Sequence, residues 1–119
     1  MVGRLPAELR GAAVVFDTGW TAHWGSDRYL RHPFLSGETC RELVTLGVGL
    51  VGTDALNVDD TAGGSGHAHW TLLGADVLIV ENLANPDQLV PGRRYRFAFA
   101  PLLLPGVDGS PVRAFAWQE

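Results

Sequence analysis

Three short apolar runs constrain this chain most: Ala12-Ala13-Val14-Val15-Phe16, Val48-Gly49-Leu50-Val51 and Val77-Leu78-Ile79-Val80. None alternates apolar with polar residues, so each suits a strand covered on both faces, as in a parallel sheet. Each run stops on polar residues: Asp17-Thr18-Gly19, Gly52-Thr53-Asp54 and Glu81-Asn82. A helix is expected between the first two. Ser36 caps it, with Thr39 at the N3 position, and Leu43, Val44 and Leu46 form its apolar face. Gly47 ends it, where a left-handed residue is wanted. A shorter helix, Trp70 to Leu73, leads into the third run, and another is expected near residues 86–89. Further on, Tyr95, Phe97 and Phe99 alternate with Arg94, Arg96 and Ala98, the period of a strand. Asp108-Gly109 signals a hairpin turn, and Val112 to Trp117 should pair back antiparallel. The order β-α-β-α-β-β-β predicts an α/β fold with a mixed sheet and flanking helices, in a single domain over residues 1–119. Residues 1–11 are expected to be a short helix or loose arm, with Pro6 suited to a helix start.

Composition excludes several classes. With 46% hydrophobic and 18% charged residues, the chain is apolar enough for a core and too weakly charged for disorder. The net charge is 9 − 13 = −4, every basic residue is an arginine, and there is no long basic run. Nucleic acid and anionic membrane surfaces are therefore not expected as partners. No stretch is long and apolar enough to span a membrane, and Met1-Val2-Gly3-Arg4-Leu5-Pro6 has no signal-peptide character, so the cytoplasm is expected. The single cysteine, Cys40, excludes an internal disulfide and reads as a buried thiol.

The candidate chemistry centres on His67-Ala68-His69-Trp70-Thr71-Leu72-Leu73-Gly74-Ala75-Asp76-Val77-Leu78-Ile79-Val80-Glu81. A carboxylate directly after an apolar strand is costly unless it is paired. His67 and His69 are the nearby candidates for its partner. Such a pair can simply be a hydrogen bond that steadies a loop, or part of a metal site. His23 lies between Trp20 and Trp24 in the loop after the first strand, and Tyr29 follows. These rings are either ordinary packing or a stacking surface for an aryl ligand. Asp54 is expected to cap backbone N–H groups, and Asp59 and Asp60 to be solvated in a loop. Gly63-Gly64-Ser65-Gly66 lacks the lysine of a phosphate loop. His32, before Pro33, reads as leading into the helix.

Five ordered blocks carry a resemblance: Val14 to Trp20, His32 to Ser36, Gly47 to Asp59, His67 to Leu83 and Asp108 to Ala116. Together they resemble the cyclase family of metal-dependent hydrolases, which includes bacterial kynurenine formamidases and isatin hydrolase. The resemblance implies a swivelling β/β/α-type fold. It also implies a metal site with an upstream His-x-Gly-Thr-His-x-Asp-x-Pro-x-His motif and a downstream histidine followed twelve residues later by a glutamate. Here 81 − 69 = 12, which places His69 and Glu81 on the downstream pair as metal ligands, for zinc or manganese. His67 falls two residues early. Trp20, His23, Trp24 and His67 are implied as substrate-pocket residues. The upstream motif is absent, and the chain resembles the C-terminal half of family members about twice its length.

The resemblance implies hydrolysis of a C–N bond in an arylformamide-like amide, with a small-molecule substrate. The missing donors would have to come from an N-terminal segment or a partner chain, or from another copy in a homo-oligomer. The alternative is a non-catalytic homologue that acts as a subunit or as a small-molecule binding module.

Overall fold

The computed structural model describes residues 8–118. The strands and helices are β1 (Ala13–Phe16), α1 (Gly37–Thr45), β2 (Leu50–Thr53), α2 (His67–Leu73), β3 (Leu78–Val80), β4 (Arg96–Pro101) and β5 (Val112–Trp117). Short 3-10 helices occupy Trp20–His23, Asp27–Arg31 and Pro86–Gln88. Most of the arm expected over residues 1–11 lies outside the described residues. Two compact units divide between Gln88 and Leu89.

In the first unit β1, β2 and β3 pair in parallel, in sequence order. Val14, Val51 and Ile79 stand in one register row, and all three pack into the main apolar cluster. Connections of one hand place successive helices on one face of such a sheet, and α1 packs against α2 there. Cys40 and Leu43 of α1 and Ala68 and Leu72 of α2 are fully buried in that cluster. The opposite row, Ala13, Leu50 and Leu78, is covered less than the runs suggest: Leu78 is 61% exposed. Two residues beyond Leu50, Gly52 leaves room for a close approach. A Cβ at Gly52 would lie 2.9 Å from Leu83 Cδ1 and 3.2 Å from Val15 Cγ2.

The expected ends of α1 are realised. Thr39 N donates to Ser36 Oγ at 3.1 Å, and Gly47 adopts a φ of 72°. In the second unit β4 and β5 pair antiparallel, with Pro101 opposite Val112. Phe97 and Phe99 share a face and stack at 5.9 Å. The expected tight Asp108-Gly109 hairpin is corrected. The pairing stops at Pro101, and residues 102–111 form a wider connection in which Leu102 N donates to Ser110 Oγ at 2.9 Å. Pro105 and Pro111, without N–H groups, cannot extend the ladder through this segment. Parallel and antiparallel pairing are thus both present, each in its own sheet.

Candidate functional site

The carboxyl ends of the parallel strands are where open α/β sheets hold ligands. Each strand here is followed at once by an acid: Asp17 after β1, Asp54 after β2 and Glu81 after β3. Asp54 is fully buried and does what was expected of it. One oxygen accepts from Thr18 N (2.8 Å) and Thr18 Oγ1 (2.7 Å), and the other from Trp20 N (2.9 Å). It therefore ties the loop after β1 to the end of β2 and fixes where Trp20 starts.

Glu81 lies beside a histidine. Its Oε1 lies 3.5 Å from His69 Nε2 and accepts from Val58 N at 3.0 Å. The helix carrying His69 begins at His67, three residues before the expected start. Positions two apart on a helix point to different sides. His67 accordingly turns away and donates from Nε2 to the Leu35 carbonyl at 2.8 Å.

Between the two histidines sits Asp59, and here the sequence expectation is corrected. Asp59 is 1% exposed rather than solvated. Its oxygens accept from Ala68 N (2.7 Å), His69 N (3.0 Å) and His69 Nδ1 (2.8 Å), and His67 Nδ1 lies 3.5 Å away. The acid caps α2 from across the loop, which is why the helix starts early. Burial pushes the Asp59 carboxyl up, but the bonds from the His69 and Ala68 amides and the His69 ring more than offset this and hold it below the ordinary carboxylate range. No local pattern marks Asp59, because its partners lie nine and ten residues on. Asp60, by contrast, accepts from Gly63 N at an exposed turn.

The geometry fits a divalent ion at His69 and Glu81. Two ligands at the usual distance on a tetrahedral ion stand about 3.4 Å apart, close to the 3.5 Å between His69 Nε2 and Glu81 Oε1. A histidine that ligates through one nitrogen commonly gives its other N–H to a carboxylate, as His69 does to Asp59. Two donors are only part of a site. Among the described residues, no group of three or more His, Cys, Asp or Glu side chains is placed to hold a metal.

The aromatic residues form a separate cluster. Trp20 Nε1 donates to Tyr29 O at 3.2 Å, His23 meets the Trp20 ring edge-on at 4.5 Å, and the Arg28 guanidinium lies over that ring at 5.6 Å. Trp20, Asp27, Arg28 and Arg31 line an open recess of about 470 Å³. Trp24 is 69% exposed and packs edge-on against Tyr29. Of the four residues expected at a substrate pocket, only Trp20 lines this recess, and His67 is held elsewhere, between Asp59 and Leu35. Tyr29 links the cluster to the strand ends. Its hydroxyl donates to the Asp54 carbonyl at 2.8 Å and lies 3.0 Å from Asn82 Oδ1, next to Glu81. Asn82 holds a φ of 55°, a left-handed conformation that asparagine tolerates. His32 is buried and bridges the Pro33 carbonyl (2.8 Å) and Thr61 Oγ1 (2.7 Å), so it anchors the long loop as well as preceding α1.

Residues 4–60 match the family model described as "Putative cyclase". A solved structure described as a "Potential Metal-Dependent Hydrolase With Cyclase Activity" has a TM-score of 0.71 and 32% identity, covering 88% of this chain and 50% of that chain. The fold is therefore the α/β architecture found in such hydrolases. The kynurenine formamidase of Sphingopyxis alaskensis is 30% identical over 88% of this chain and 56% of its own length. That of Bordetella avium is 34% identical over 77% of this chain and 42% of its own length. In sequence and fold this chain is thus similar to proteins of the cyclase family. It spans about half the length of the curated relatives it matches.

Proposed function

We propose that this chain contributes part of the active site of a metal-dependent hydrolase that cleaves the C–N bond of an arylformamide-like amide. The observation that carries the proposal is the His69 Nε2–Glu81 Oε1 approach, with Asp59 on the other ring nitrogen. The carboxyl groups of Asp59 and Glu81 flank one imidazole, an arrangement that would favour a cation there. His69 and Glu81 would hold zinc or manganese, and the remaining donors come from a further polypeptide segment or a partner chain. An ion held there would supply Lewis acidity to the site. Trp20, with Arg28 above its ring, offers a flat apolar surface for the aryl group.

The test uses the protein as isolated, with any chain that co-purifies. Metal content is measured, together with hydrolysis of N-formylkynurenine. Stoichiometric zinc or manganese, and turnover lost on chelation or in Glu81→Ala, support the reading. Turnover that survives chelation overturns it. A second reading, a non-catalytic subunit or binding module, is favoured by the lack of a three-donor group among the described residues. Metal-free protein without turnover, in its native assembly, would establish that reading instead.

A further inference from the structure

We infer that Asp59 is a positioning residue for His69: it commits the imidazole to the tautomer that leaves Nε2 bare toward Glu81. The proposal deepens the ligand reading above, and its significance rests on that reading. Asp59 is buried and already accepts two backbone N–H groups, so its oxygens act as acceptors toward His69. An acceptor 2.8 Å from Nδ1 requires the proton on Nδ1. In the neutral ring the lone pair is then on Nε2, which faces Glu81 Oε1 at 3.5 Å. Without Asp59 the preference reverses, because Glu81 is then the acceptor within reach and draws the proton to Nε2. That tautomer presents an N–H where a ligand needs a lone pair. The same carboxylate caps α2, so the ring orientation and the helix start are set by one group.

A purely capping role and a positioning role make different predictions. Long-range 1H–15N correlation spectra of the metal-free full chain, taken at alkaline pH where the imidazoles are neutral, report which nitrogen carries each proton. In the native protein His69 should show Nδ1–H and a bare Nε2. In Asp59→Ala the His69 Nε2 resonance should move from the bare-nitrogen range to the N–H range. His67 serves as the comparison: its Nε2 faces the Leu35 carbonyl at 2.8 Å, an acceptor that the substitution leaves in place. Folded Asp59→Ala with an unchanged His69 tautomer would reduce Asp59 to a helix cap and overturn the inference. If that variant does not fold, the native spectrum decides: a protonated His69 Nε2 overturns the inference and a bare one upholds it. The measurement is made without metal, so its result and that of the chelation test stand or fall separately.

Discussion

Asp54 and Asp59 show how much a single residue's meaning depends on what folds around it. Both are buried carboxylates with three hydrogen-bond donors each. Asp54 was legible because it directly follows a strand and precedes no helix. Asp59 was not, because its donors arrive from the far end of a Gly-rich loop. Replacing Asp54 with alanine strands two backbone N–H groups in the interior. Asp54→Ala is expected to lose on the order of 3 kcal/mol, measured by urea unfolding, and to alter the Trp20 emission. Cys40 is the other single-residue case. Burial pushes its thiol up, and the nearby Asp59 charge adds to the shift while Arg41 opposes it. A raised value means that the stability due to the neutral thiol is fully present below the unfolded pKa of about 8.5 and is lost as pH rises through the folded value. Ellman's reagent should therefore leave Cys40 unmodified in the folded chain at mildly alkaline pH and label it fully in guanidinium. Rapid labelling of folded protein would contradict the burial.

At the scale of elements, the strands and α1 were readable because their signals are local. Unalternating apolar runs gave β1, β2 and β3, and Ser36 and Gly47 marked the ends of α1. Ser36→Ala removes the oxygen that holds Thr39 N, and should cost about 1 kcal/mol and lower the thermal midpoint accordingly. Non-local signals went unread. The early start of α2 depends on Asp59 across the loop, and it decides that His69 rather than His67 meets Glu81. The Asp108-Gly109 pair looked like a tight turn, but the prolines around it remove the donors that such a turn would need.

For the whole molecule, the first unit has one helix-covered sheet face and one face left partly open. Leu78 is 61% exposed on an edge strand, and among the described residues β1 and β3 each pair with a strand on one side only. Relatives about twice as long carry further chain beyond the matched region. We therefore expect association, either of copies of this chain or with a partner chain. Sedimentation velocity should show a species heavier than the monomer, shifted toward monomer by Leu78→Glu. A clean monomer at high concentration would count against it. No helix among the described residues is long and apolar enough to cross a membrane.

The contact between His69 and Glu81 also joins the start of α2 to the end of β3, two points that the unfolded chain lets drift apart. An ion held there would close that stretch into a staple, and it would bind the folded chain far better than the unfolded one. Stability then becomes a function of free ion concentration, rising by about 1.4 kcal/mol for each tenfold excess over the dissociation constant. On the proposed ligand reading, the lifetime of the folded chain would therefore track how much of that ion is free.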